Sequence, residues 1–262
     1  MTAAVPVPAA GGPSVVPEPA AGGKPRDISL TLGRREEALR VGLYDALFRA
    51  VREGTAGVAG RPATVLDVGC GRGELLRRLS AAGFEAAGLD PEPGCVAASS
   101  RHARTERGGL DDIAARFPGR TFDAVVCSHV LEHVNDPLGG AKRLAAACAP
   151  GGVVVAAVPN VLRPVRVLRS LRGGLTPDHP RHLYGWGRPE FATLLSDAGL
   201  RVTGWYADRV TLVRLPGRLG GAVCRLMSPL EEGLFCRVLP GLASSVIAAA
   251  TPAGPPPAAG PE

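Results

Sequence analysis

The sequence predicts an α/β domain in which a mostly parallel sheet is flanked by helices. Short β-branched runs alternate with helical stretches from residue 64 to residue 251, the pattern of strands joined by crossover helices. Gly69, Gly71 and Gly73 stand between the first such run and the next helix, where a tight strand-to-helix turn belongs. Apolar residues make up 45% of the 262 positions, enough to bury both faces of one sheet.

Residues 1–27 are low-complexity Ala/Pro/Gly sequence and are expected to be disordered, as are residues 252–262 (PAGPPPAAGPE). The domain is expected over residues 28–251. It opens with an amphipathic helix, Arg34–Arg52, in which Leu39, Leu43, Leu47 and Val51 recur every fourth residue. Thr64–Val68 (TVLDV) reads as a short buried strand, and Glu74–Ala82 as a helix that Gly83 ends. Glu85–Leu89 is the second strand and Cys95–Arg104 the helix after it. The third strand is placed at Gly108–Leu110, where the pattern is weakest. Phe122–Ser128 (FDAVVCS) is a strand, and Leu138–Cys148 a helix stopped by Pro150-Gly151-Gly152. Val153–Val158 (VVVAAV) follows as a strongly β-branched strand. Residues 159–187 read as a loop. Pro189–Ala198 is a helix with Pro at its start and Gly199 at its stop. Leu200–Tyr206 and Ser244–Thr251 are the last strands, and residues 209–242 between them read as a helical cap insertion.

The composition excludes several classes. The 35 glycines have no three-residue period, so the chain is not collagen-like. No run of about 18 uncharged apolar residues exists to cross a membrane. The net charge of +6 is carried by scattered arginines, and aromatic residues are only 4%, so no stacking platform for nucleic acid accompanies them. An anionic small molecule or surface stays compatible with that charge. Cysteines at 70, 95, 127, 148, 224 and 236 form no CxxC pair and match no zinc spacing. No metal is therefore expected, and a reducing, cytoplasmic compartment is. The N-terminus lacks the basic and apolar regions of a signal peptide.

The chemistry centres on Val65-Leu66-Asp67-Val68-Gly69-Cys70-Gly71-Arg72-Gly73-Glu74. A glycine turn of this kind lets a ligand touch the backbone and exposes N–H groups at a helix start. Asp90, at the end of the next strand, suits the hydroxyls of a ribose. Two cofactors fit such a frame. A dinucleotide asks for G-x-G-x-x-G, and Glu74 occupies the place of the third glycine. S-adenosylmethionine (SAM) has no pyrophosphate but carries an ammonium, which Asp67 would suit.

These residues resemble the E/D-x-G-x-G-x-G motif of class I SAM-dependent methyltransferases. Over residues 62–251 the chain is most similar to the ubiquinone-biosynthesis-type, small-molecule O-methyltransferase subgroup. Phe122–Val134 (FDAVVCSHVLEHV), the Pro150-Gly151-Gly152 turn, His179-Pro180-Arg181-His182-Leu183-Tyr184 and Leu194-Leu195…Ala198-Gly199-Leu200 are its further landmarks. The resemblance implies a Rossmann-like fold with a seven-stranded sheet, the last strand antiparallel beside the sixth. It also implies that Gly69, Cys70, Gly71 and Gly73 face the methionine end of SAM, with Asp67 at its amino group. Asp90 and Pro91 would then meet the ribose, and Asp111 or Asp112-Ile113 the adenine. Ser128 and His129 would lie beside the sulfonium.

Methyl transfer is an in-line displacement with a neutral thioether leaving group, so positioning dominates. A hydroxyl acceptor gains from a general base, most often His. His182, in a polar loop beside Arg181, is the first candidate. His133 is the second, although with Glu132 it could equally anchor the following helix to the sheet. Arg181 and Tyr184 are candidates for binding the acceptor, Arg181 by clamping an anionic group. Base methylation of DNA is disfavoured, because Cys127-Ser128-His129-Val130 stands where such enzymes carry [DN]-P-P-[YF]. Residues 209–242 interleave Leu, Val and Met with Arg209, Arg214, Arg218 and Arg225. They read as a cap on the sheet edge, a lid over a hydrophobic acceptor, or a peripheral membrane contact. Rival readings are a SAM-binding protein without catalysis and a nicotinamide-dependent oxidoreductase.

Overall fold

A computed structural model describes residues 34–171, 182–210, 227, 230–231 and 233–253. The first half of the domain comprises α1 (Arg34–Gly54), β1 (Thr64–Val68), α2 (Glu74–Ala81), β2 (Glu85–Asp90), α3 (Pro93–Ser99), β3 (Arg104–Arg107), α4 (Ile113–Arg116) and β4 (Phe122–Ser128). It continues with α5 (Pro137–Ala147), β5 (Cys148–Pro159), α6 (Pro164–Leu171), α7 (Arg188–Asp197), β6 (Leu200–Tyr206), α8 (Leu234–Val238) and β7 (Ser245–Pro252). The seven strands are ordered β3-β2-β1-β4-β5-β7-β6. Strands β1 to β5 run parallel, and β7 is antiparallel to both β5 and β6. The chain winds outward from β1 to β3 and then returns to β4. That reversal opens a crevice at the C-terminal ends of β1 and β4, where ligands of such sheets bind.

Alternate residues of the central strands supply two cores. Leu66, Val68, Val125 and Val154 pack with Leu144, Phe191 and Leu195 of α5 and α7. Val65, Ala124, Val126 and Val155 face the other way, against Leu47 and Val51 of α1 and Leu75 and Leu79 of α2. Both faces of β4 and β5 are thus covered, which explains why these strands read as continuous apolar runs.

Four expectations are corrected. The third strand is Arg104–Arg107, not Gly108–Leu110. It is an edge strand of charged residues, with Arg104 paired to Glu106, so it carries no apolar pattern. The helix expected at Cys95–Arg104 is Pro93–Ser99; Pro93 starts it, where a missing N–H costs nothing, and Arg104 already belongs to β3. The 159–187 loop contains α6, which Pro164 opens rather than breaks. Strand β7 also runs through Pro252, and the Ala253 N–H donates to the Gly199 carbonyl at 2.8 Å, so the sheet takes the first residues of the expected tail. The N-terminal tail, residues 254–262 and most of the 209–242 insertion lie outside the described residues. The insertion's described end holds α8 and a 3-10 turn at Pro240–Leu242. No helix among the described residues is long and apolar enough to cross a membrane.

Candidate functional site

The glycine turn leaves β1 and enters α2. Gly69, Gly71 and Gly73 all have positive φ, at 75°, 55° and 84°. Two of them are also forced by contact: a Cβ at Gly69 would stand 2.3 Å from Val130 Cγ2, and one at Gly73 would stand 2.9 Å from the Ser99 backbone. Gly71 differs, because a Cβ there meets nothing within 4 Å. The turn is therefore open at Gly71 and packed on either side. Its N–H groups are largely spent inside the protein. Gly69 and Cys70 donate to the Leu89 carbonyl, Gly71 to Asp90, and Gly73 to the Cys70 carbonyl. These four N–H groups are thus already bonded, and what the turn offers at Gly71 is close approach.

Around the turn lie the carboxylates. Asp67 is buried, and among the described residues its carboxyl has no hydrogen-bond partner. Burial first, and the charge of Asp90 second, push it up to about 7. A buried acid with no donor beside it is suited to an incoming cation. Asp90 accepts from the Gly71 N–H at 2.8 Å and from the Glu92 N–H at 2.9 Å, so it shapes the turn as well as facing the crevice. Pro91 follows it directly. Asp112 accepts from the Gly109 N–H at 2.8 Å and caps the 3-10 turn Leu110–Asp112, with Ile113 buried next to it. Asp111 is exposed and pairs with Arg143 at 3.0 Å. Asp111, Asp112, His133, Asn135 and Arg143 line a cleft of 420 Å³. A second hollow, of 480 Å³, lies at the opposite end of α2 from the glycine turn and involves none of these groups.

The loop after β4 carries the third set. Ser128 ends the strand. Among the described residues His129 is the one non-glycine residue with positive φ, at 57°, and its N–H donates to the Ala157 carbonyl at 2.8 Å. Glu132 is fully buried, and among the described residues neither carboxylate oxygen has a hydrogen-bond partner. His129 Nδ1 lies 3.2 Å and His133 Nε2 3.9 Å from Glu132 Oε1, ion-pair distances without hydrogen-bond alignment. Burial pushes the Glu132 carboxyl up, but His129 and then His133 outweigh it and hold it below the ordinary carboxylate range. His182 arrives from the distant loop. Its ring lies 4.9 Å from that of His133, and Glu132, His133 and His182 bring side-chain N and O atoms within 4.8 Å of one another. That loop is tied down by the Leu183 N–H, which donates to the Glu132 carbonyl at 2.9 Å, and by Tyr184, whose hydroxyl donates to the Asn135 carbonyl at 2.8 Å. Tyr184 stacks on Trp186. Arg181 lies outside the described residues.

A family model described as a methyltransferase domain matches residues 42–204, more than half of the chain. The chain belongs to the methyltransferase-domain family. It is 37% identical over 105 residues to a ubiquinone biosynthesis O-methyltransferase of Xanthomonas campestris pv. campestris, a match covering 37% of this chain and 44% of the relative. A Methylocella silvestris protein of the same name is 38% identical over 129 residues, 47% of each chain. The chain thus spans about half the length of these curated relatives, or less. Among solved structures, the magnesium protoporphyrin IX methyltransferase of Synechocystis PCC 6803 with bound SAH is similar, with a TM-score of 0.57 and 18% identity over 84% of this chain and 87% of that one. A SAM-dependent methyltransferase from Archaeoglobus fulgidus aligns with a TM-score of 0.54 and 18% identity, covering 79% and 93%. At these identities the likeness shows the shared Rossmann-like fold.

Within this methyltransferase domain the fold brings together most residues that the sequence singled out. Asp67, the glycine turn and Asp90 share one end of β1 and β2, and His129, His133 and His182 converge on Glu132. Sequence reading missed Asp208 and Ser245. Ser245 Oγ lies 3.2 Å from His129 Nε2 and donates to Asp208 Oδ2 at 2.8 Å. Neither residue sits in a motif, and they meet His129 only because β7 returns between β5 and β6. It also missed Asn160, whose amide donates to the Gly241 and Ala243 carbonyls, both at 2.8 Å, and pins the chain entering β7. An Asn immediately after a buried strand is the one signal that could have marked it.

Proposed function

We propose that this chain is an S-adenosylmethionine-dependent methyltransferase acting on a hydroxyl of a small-molecule acceptor. The observation that carries the reading is Asp67: a buried carboxyl without a hydrogen-bond donor, next to a glycine turn that is open at Gly71. That site suits an ammonium, because a buried carboxyl faces it and the N–H groups of Gly69, Cys70, Gly71 and Gly73 are already bonded within the protein. Asp67 would hold the amino group of SAM, with Gly69, Cys70, Gly71 and Gly73 along its methionine end. Asp90 and Pro91 would meet the ribose. Asp111, Asp112 and Ile113, on the wall of the 420 Å³ cleft, would bracket the adenine. Ser128 and His129 would stand beside the sulfonium.

When bound, SAM supplies a methyl group already activated by positive charge. The protein's part is then to align the acceptor oxygen and take its proton. Buried Glu132 draws His129, His133 and His182 together, so an imidazole that gains a proton there is stabilised by a fixed negative charge. His182 and His133 would be the candidate bases, with Arg181 and Tyr184 binding the acceptor. The names of the similar curated proteins support oxygen as the atom methylated. The free thiols of Cys70, Cys95, Cys127, Cys148 and Cys236 fit a reducing, cytoplasmic setting. The test is methyl transfer from labelled SAM to a panel of phenols, hydroxy acids and sugars, beside amines and thiols. Label on a hydroxyl oxygen supports the reading. Binding of NADH with no binding of SAM would overturn it.

A further inference from the structure

Among the described residues, every large apolar side chain left exposed lies at 162–184 or 230–239. Single exposed apolar residues are ordinary, but a surface where they gather marks a partner. In α6 the apolar side chains Val167, Leu168 and Leu171 are 40%, 48% and 79% exposed. Arg166, and Arg163 just before the helix, are only half-exposed. A helix on a water-facing surface turns its charges outward and its apolar stripe inward. This one is turned the other way. α8 continues the pattern, with Leu234 and Val238 exposed one turn apart and Arg237 exposed beside them.

The two segments spring from one place. The Asn160 amide holds the Gly241 and Ala243 carbonyls, its N–H donates to the Ser244 carbonyl at 3.0 Å, and Asn160 bridges to Trp186. Asn160 follows the C-terminal end of β5, so the apolar face stands at the crevice end of the sheet. The charge around it has one sign: residues 161–174 and 233–243 hold five arginines and no acidic residue. A second copy laid on this face about a two-fold axis would set arginine against arginine. An anionic surface with an apolar interior matches both features. We propose that this face rests on an anionic lipid bilayer, with the exposed leucines of α6 and α8 at the headgroup boundary and the arginines drawn to lipid phosphates. Interfacial helices bind in this way, by buried apolar area together with attraction to anionic lipid. The contact is peripheral, since no helix among the described residues is long and apolar enough to cross a membrane. It does not depend on which acceptor is methylated.

The test is co-sedimentation of the full chain with vesicles. Vesicles of phosphatidylglycerol and phosphatidylcholine should bind it, and vesicles of phosphatidylcholine alone should not. Raising salt from about 0.05 M to about 0.5 M should weaken the binding, since it screens the arginines. Leu168→Glu combined with Leu171→Glu should weaken it by about tenfold or more. The thermal midpoint of that variant should not change, because both side chains already face outward. Arg237→Glu, on the other element, should weaken binding as well, and it carries the test if the first variant folds poorly. No binding to the anionic vesicles overturns the inference. Equal binding to the neutral vesicles, or wild-type binding by either folded variant, also overturns it. A wild-type dimer in light scattering that the leucine variant separates would assign the face to a second copy and overturn it too.

Discussion

Asp67→Asn should stabilise the protein without ligand and impair cofactor binding, and the stabilising part depends on pH in a defined direction. In the fold the Asp67 carboxyl is raised from 3.8 to about 7, by burial first and the charge of Asp90 second. Below the unfolded value both states hold the proton and no penalty exists. Between the two values the unfolded chain has released its proton and the folded chain has not, so stability falls as pH rises. Above the folded value the full penalty applies. A shift of roughly 3 units at about 1.4 kcal/mol each makes that penalty about 4 kcal/mol. Asn removes it but buries an amide without a partner, which returns about 1–3 kcal/mol. The net gain expected at pH 8 is therefore about 1–3 kcal/mol, disappearing or reversing near pH 4. Urea denaturation of the ligand-free proteins at both pH values measures it through the midpoint at constant m-value. Equal destabilisation at pH 4 and pH 8 would refute the reasoning, because Asp67 would then cost nothing to ionise.

Asp90→Ala should weaken SAM binding by at least about 1 kcal/mol in calorimetry, since it removes both the proposed ribose acceptor and the bond that closes the turn at Gly71. Asp90→Asn should retain part of that affinity, and equal losses would assign the effect to charge alone. Phe191→Ala, at a fully buried site between α7 and the sheet, should cost about 3–5 kcal/mol in denaturant unfolding. Asp123 is held well below the usual carboxylate range, first by the Arg61 hydrogen bond, then by Thr64. The stability it contributes is present above the unfolded carboxylate value and lost as pH falls through the folded one. Asp123→Asn should accordingly destabilise the protein more at pH 7 than in strong acid, read as the difference in urea midpoints.

The buried parts of the fold were legible in the sequence. β1 and β4 lie where their apolar runs place them, because a strand covered on both faces has to be apolar along its length. β3 was misplaced because an edge strand is free to be RTER, and its pairing with β2 is made by backbone alone. α6 was hidden behind Pro164, which marks a helix start as readily as a break. The site divides in the same way. Asp67, the glycine turn and Asp90 are contiguous with strands and follow from local pattern. The convergence of His182 on Glu132, and of Ser245 and Asp208 on His129, joins residues far apart in the chain, up to 116 positions for His129 and Ser245. Ser245 reaches His129 only because the last strand inserts antiparallel between β5 and β6. The turn's N–H accounting was equally invisible, since it depends on where the Leu89 carbonyl and the Asp90 carboxylate point.

Calorimetric titration of the full chain with SAM, with NADH, and with SAM against Asp67→Asn tests the central claim most directly. SAM should bind, NADH should not, and Asp67→Asn should weaken SAM by at least tenfold, about 1.4 kcal/mol, through loss of a charge-assisted contact to its ammonium. NADH binding without SAM binding, or SAM affinity untouched by Asp67→Asn, would contradict the account.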